Sequence, residues 1–331
     1  MMRRGLVVAA ALLCAACASD PLPSPDRAPR LPDELADARD LRGPFRAAFC
    51  AREANCDDAL WRFAGEAPVP PPARADPARF HLLFVPGFLA SCFPDIHTFG
   101  DVMQAAREQG YAVDYLEAAG RAGVAANART LALAVAALPD DGRRLVFVAH
   151  SKGAVDVLQM LVDQPAIARR TTALVAVAGA LQGSPLADRL DGLYGATFGA
   201  FPFRSCAKDD GTPVQDLQRE ARRRWWTEHG NRIGVPVYSL VSVPEATRLA
   251  PTLYPFFMTL TNYSRYNDGM LLAAGQVAPG GALLGVVDAD HLSIGIPRPE
   301  TFPQSLWFSP VPFPRTAAIL AAIDVVAADA R

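Results

Sequence analysis

Ser151 lies in Ala149-His150-Ser151-Lys152-Gly153, at a point where the apolar pattern of the chain changes period. Residues 145–149 are uncharged and rich in β-branched and aromatic types, which predicts a buried strand. After the serine, Ala154, Val157, Leu158, Leu161 and Val162 recur at helical spacing. The chain must therefore pass from strand to helix within a few residues, and so sharp a turn needs small neighbours. Small-x-Ser-x-Gly is a reduced form of the G-x-S-x-G nucleophile elbow, with Ala149 where the first glycine usually stands. Such an elbow lifts the hydroxyl clear of the sheet and aims the N–H groups that open the helix at any anion formed there. The chemistry it serves is covalent catalysis by a serine oxygen.

A serine hydroxyl is a weak nucleophile at neutral pH, so it needs a base within hydrogen-bond reach and a carboxylate to orient that base. The chain holds five histidines. His150 is tied by its backbone to the elbow and does not reach its neighbour's hydroxyl. His81 begins a strand, His97 follows the first loop and His229 lies in an insertion, so all three read as structural or exposed. His291 follows the apolar run 283–287 through Asp288-Ala289-Asp290, which puts it on a loop at the same sheet edge as Ser151. Asp268, in Tyr266-Asn267-Asp268-Gly269, completes the chain order Ser, Asp, His expected on this scaffold. Asp288, Asp290 and Glu245 are its rivals: Asp290 adjoins the histidine too closely to reach the far ring nitrogen, and Glu245 ends its strand more directly than Asp268 does.

The elements that must hold these residues alternate along the chain. Strands are predicted at 80–85, 111–116, 145–149, 173–177, 235–243 and 283–287, with helices at 99–108, 124–138, after the elbow, and at 315–328. This is the β-α-β rhythm of an α/β protein, a mostly parallel central sheet with helices on both faces. An insertion at about 184–232 breaks the rhythm with an aromatic piece at 193–203 and a basic helix at 215–226 ending in Trp225 and Trp226. At that point in such a sheet it sits above the C-terminal strand edges, where ligands bind. Two readings stay open: a cap over the site, or aromatics that merely pack the insertion onto the body.

The beginning of the chain reads differently. Arg3 and Arg4 precede an apolar run at 6–16 that is too short to span a bilayer and ends among small residues, so 1–18 is expected to be an export signal. Cys17 after two alanines resembles a lipoprotein acceptor cysteine and would give a membrane tether; cleavage near Ala18 is the competing reading, and either places the protein outside the cytoplasm. Residues 19–79 are expected to form a proline-rich spacer, mobile over 20–43, with a short helix at 44–63. The catalytic domain is then 80–331. Outside the signal stand Cys50, Cys56, Cys92 and Cys206, structural staples in an oxidising compartment; three pairings are open, and pairing Cys50 with Cys56 would leave Cys92 with Cys206. A net charge of −2 and the lack of a basic stripe exclude a nucleic-acid partner. No H-E-x-x-H or clustered Cys/His pattern calls for a metal, and no cofactor is expected.

Taken together, Pro86-Gly87-Phe88, the elbow, Gly183-Ser184-Pro185-Leu186-Ala187-Asp188, Asn267-Asp268-Gly269 and Ala289-Asp290-His291-Leu292 resemble the α/β-hydrolases, and within them bacterial serine lipases and esterases, over about 80–330. The resemblance implies Ser151 as nucleophile, His291 as general base and then acid, and Asp268 as the orienting carboxylate. It also implies an oxyanion hole made by the N–H groups of Phe88 and Lys152, with Pro86 where many relatives carry His. The reaction implied is hydrolysis of a small-molecule or lipid ester through an acyl-enzyme. An acyltransferase, a polyester depolymerase gripping its polymer through the aromatics at 254–257 and 302–313, and an inactive exported binding protein are the alternatives.

Overall fold

The structure, a computed structural model, describes residues 30–66, 68–93, 97–194, 212–299 and 304–330. The export segment with Cys17, most of the aromatic piece at 193–203, Cys206 and Phe302 lie outside the described residues.

Seven strands form the sheet: β1 (Arg39–Asp40), β2 (Phe80–Val85), β3 (Ala112–Tyr115), β4 (Arg144–His150), β5 (Thr171–Val177), β6 (Val237–Ser242) and β7 (Ala282–Val287). They lie in the order β1-β7-β6-β5-β4-β2-β3, and every pairing is parallel. The central strands β2, β4, β5, β6 and β7 are buried along nearly all of their length because helices cover both faces of the sheet. Along β4, Leu145, Phe147 and Ala149 enter one core with α3 (Val124–Ala137) and α4 (Lys152–Asp163), while Val146 and Val148 enter the other. That second core holds α1 (Arg42–Cys50), α2 (Gly100–Glu108) and the last helix, α10 (Arg315–Asp329). Helix α10 is buried from Ala318 through Ala327, as expected of a helix apolar on all sides. Its one acid there, Asp324, is satisfied by Arg52 at 2.7 Å and by the backbone N–H of Ala75 at 2.8 Å.

Two expectations for the first eighty residues are corrected. The spacer does not stay off the body: Arg39 and Asp40 pair with Ala282 and Leu283, adding an edge strand to the sheet. The helix expected at 44–63 ends at Cys50, which is disulfide-bonded to Cys56. Their Cα atoms are 5.1 Å apart, whereas six residues of helix would span about 9 Å, so the bond and a continuous helix exclude each other. Cys92 is also in a disulfide.

The insertion contributes α6 (Pro185–Tyr194), α7 (Thr212–Gln215) and α8 (Arg219–His229), after α5 (Pro165–Arg170) and before α9 (Tyr254–Leu260). Its basic helix starts four residues later than the sequence pattern predicts, because Asp188 accepts the N–H of Arg219 at 3.0 Å and fixes the start. Trp225 and Trp226 are partly buried against the α3–α4 core, where Trp225 donates to Gln159 and Trp226 to the carbonyl of Leu181. For these two rings the packing reading holds.

Candidate active site

The site is built at the C-terminal ends of β2, β4 and β7. At the end of β4 the chain turns into α4 through Ser151, whose φ of 53° and ψ of −125° lie where a residue with a side chain is strained. The turn is held by its own backbone: Ser151 N–H donates to Val177 O at 3.1 Å, and Ser151 O accepts from Ala154 and Ala180 at 3.2 and 3.1 Å. Gly153 is obligatory, since a Cβ there would collide with the carbonyl oxygen of Pro86. Ala149, the departure from the usual first glycine, is fully buried with its methyl in the α3–α4 core, so it does not crowd the turn.

The structure brings Ser151, His291 and Asp268 into one hydrogen-bonded chain. Ser151 Oγ is 2.9 Å from His291 Nε2, and His291 Nδ1 is 2.7 Å from Asp268 Oδ2. The other oxygen of Asp268 accepts the N–H groups of Met270 and Leu271 at 2.8 and 2.7 Å, so the carboxylate is completely buried yet satisfied. A carboxylate that only accepts requires Nδ1 to carry the proton, which leaves the Nε2 lone pair facing the serine hydroxyl. Such a chain can draw a proton from the hydroxyl as the oxygen attacks.

The rival acids are occupied elsewhere. Asp290 accepts from the backbone of Ala250, Leu292 and Ser293, and burial pushes its carboxyl up. Asp288 accepts from Glu245 N–H and pairs with Arg248 at 3.0 Å; burial pushes it up to about 6. Glu245 is exposed. Among the other histidines, His81 pairs with Asp114 on the neighbouring strand, and neither His97 nor His229 lines the cavity at Ser151. His150, by contrast, belongs to the site: its Nε2 is 2.8 Å from His291 O.

Both residues expected to supply oxyanion donors border the serine. Lys152 follows Ser151 and opens α4. Its side chain is buried on Asp156 at 2.7 Å, whose other oxygen accepts from Asn127 at 2.9 Å. Burial pushes the Asp156 carboxyl up against the opposing pull of Lys152. Gly87 presses so close to the elbow that a Cβ on it would lie 2.9 Å from Ser151 Cβ, and Phe88 follows it along the cavity wall. The insertion reaches the site here, where Phe88 packs with Ala187, Val214 and Leu217.

Ser151 and His291 open into a cavity of about 310 Å³ walled by Phe88, Leu89, Phe93, Ile296 and Phe308, with Trp307 half exposed at its rim. Among the described residues no carboxylate, lysine or arginine lines it. Of the segments expected to grip a polymer, 254–257 lies on α9 with Tyr254 exposed and Phe256 and Phe257 turned inward, and Phe313 is buried. Among the described residues, the one His/Cys/Asp/Glu group with metal-ligand spacing is Cys50, Cys56 and Asp57, and its two sulfurs are spent in the disulfide.

Some contributors had no signal in the sequence. The N–H groups of Met270 and Leu271 are backbone, and the motif that contains Ser184 did not show its role, a bond to Met270 O at 2.6 Å that ties the insertion to the acid loop. The chain is similar to the crystal structure of the metagenomic carboxyl esterase MGS0156, at 36% identity over 92% of this chain and 96% of that one, with a TM-score of 0.82. The mature form of the Bacillus licheniformis lipase BlEst2 shares the fold at 20% identity, covering 67% of this chain and 88% of its own, with a TM-score of 0.53. No family model and no curated protein matches the chain.

Proposed function

The chain belongs to the α/β-hydrolase carboxyl esterases and lipases, and from that premise we propose that it cleaves carboxylic esters with Ser151 as nucleophile, His291 as base and Asp268 as orienting acid. The observation that carries this reading is the unbroken run from Asp268 Oδ2 through both nitrogens of His291 to Ser151 Oγ, ending in an apolar cavity. Ester hydrolysis follows from the parts. His291 takes the hydroxyl proton as Oγ adds to the ester carbonyl, and Asp268 stabilises the imidazolium that results. The oxygen of the tetrahedral intermediate is met by the N–H groups of Phe88 and Lys152, each worth about 3 kcal/mol in sites of this type. Collapse passes the proton from His291 to the departing alcohol and leaves an acyl group on Ser151. Water then adds to that acyl-enzyme, giving its proton to His291, and the acid is released. The uncharged cavity favours esters whose acyl part is apolar, since a charged group there would lose its hydration without a partner.

The test is hydrolysis of nitrophenyl esters of increasing acyl length by the wild type and by Ser151→Ala. The substitution should lower kcat about 10,000-fold or more while leaving thermal unfolding unchanged. A folded Ser151→Ala protein keeping above about one hundredth of wild-type turnover would overturn the assignment.

A further inference from the structure

His150 neighbours the proposed nucleophile in sequence, is nearly fully buried, and takes no part in the proton path described above. Its surroundings are unusually constrained. A Cβ on Gly87 would come to 3.1 Å of His150 Nδ1, and one on Gly295 to 2.9 Å of Cδ2, so two glycines hold the ring from two loops. Phe99 meets it edge-on at 6.2 Å between centroids, and the His291 ring lies 4.9 Å away. The bond from His150 to His291 O has one possible polarity. A carbonyl only accepts, so Nε2 carries the hydrogen.

The loop at 291–296 is held at its far end by other groups. Phe99 N–H donates to Gly295 O at 2.7 Å, and Arg315 donates to Ser293 O and Ile296 O at 3.2 Å. At the end that carries the imidazole, His291 N–H donates to Asp268 O at 3.0 Å, and His150 grips the carbonyl of the same residue. We propose that His150 is a positioning residue, a fixed hydrogen-bond donor that sets His291 at its working distance from Ser151. The proposal rests on the reading of Ser151 and His291 as nucleophile and base. Burial, with His291 beside it, pushes the His150 imidazole down to about 3, so it holds one neutral form throughout the range in which an esterase works. The grip is independent of the protonation that His291 undergoes in each cycle.

The effect should fall on the rate more than on the fold. One net hydrogen bond contributes about 1 kcal/mol to stability, whereas a small misplacement of a catalytic base can cost about 100-fold in rate. His150→Phe keeps a flat ring and loses the donor; His150→Gln places an amide N–H near the position of Nε2. With a short nitrophenyl ester, His150→Phe should lower kcat about 10- to 100-fold with KM changed less than about threefold. The rate at which a fluorophosphonate labels Ser151 should fall in parallel. His150→Gln should recover most of both rates. Near-wild-type kcat in folded His150→Phe, or a folded His150→Gln as slow as the Phe variant, overturns the proposal. If the Phe variant does not fold, the Gln variant decides: fast turnover sustains the role, and slow turnover at wild-type stability refutes it. Failure of the underlying reading looks different, because wild-type protein would then resist the fluorophosphonate or Ser151→Ala would remain active.

Discussion

Two histidine–aspartate pairs of nearly equal length stand among the described residues, and they differ in what surrounds them. His291 and Asp268 are 2.7 Å apart; His81 and Asp114 are 2.6 Å apart. The first uses Nδ1 for the carboxylate, which leaves Nε2 directed at Ser151, whereas the second spends Nε2 on the carboxylate. The first acid is completely buried and held by two backbone N–H groups, and the second is half exposed on a strand. The first pair sits on loops beyond the C-terminal strand ends, and the second joins the start of β2 to β3. A histidine beside an acid is therefore a common structural device. It gains catalytic meaning from the nitrogen that remains available and from the sheet edge at which it lies.

The largest effect that would test this contrast is on turnover. His291→Ala should cut kcat about 10,000-fold, while His81→Ala should leave it within about twofold of wild type, both measured on the same nitrophenyl ester. Equal losses in two folded variants would erase the distinction. The acids separate more subtly. In Asp268→Asn the amide oxygen must face the N–H groups of Met270 and Leu271, so its NH2 meets Nδ1 and drives the proton onto Nε2. The lone pair facing Ser151 is lost, and kcat should fall about 1,000- to 10,000-fold with little change in KM. Asp114→Asn should leave kcat unaltered and lower stability in chemical denaturation by less than about 1 kcal/mol, since solvent screens its exposed side.

A smaller effect, on stability, probes what the His81 pair lacks, a strained serine next to it. Gly153→Ala drives a methyl into Pro86 O and should cost about 1–3 kcal/mol in denaturant unfolding. An unchanged midpoint would mean that the β2 and β4 loops are not pressed together as tightly as the elbow requires.

Much of this arrangement could be read in the chain, for definite physical reasons. Strand β2 and helix α3 were visible because an uninterrupted apolar run and a helical repeat each leave a strong period. Ser151 and His291 were visible because each follows a predicted strand end, and Asp268 because it stands on a polar turn between the last two strands in the chain order Ser, Asp, His. What escaped was set by tertiary partners. Two residues, Arg39 and Asp40, carry no strand period, and they are extended because β7 offers an unpaired edge. The stop of α1 depends on which cysteines pair. His150 looked inert because its partner, the carbonyl of His291, has no side-chain signature. The tryptophans of α8 left packing and capping open until Leu181 O and Gln159 showed where their N–H groups bond.

The edge strand has a consequence for how the protein is made. Arg39 and Asp40 are synthesised well before their partners in β7 and before the helix that packs on α1. The first strand has nothing to pair with until Ala282 and Leu283 have been made, and so its docking belongs among the longest-range steps of folding. Completion of the sheet by β1 thus waits on β7, the strand that leads into the loop carrying His291.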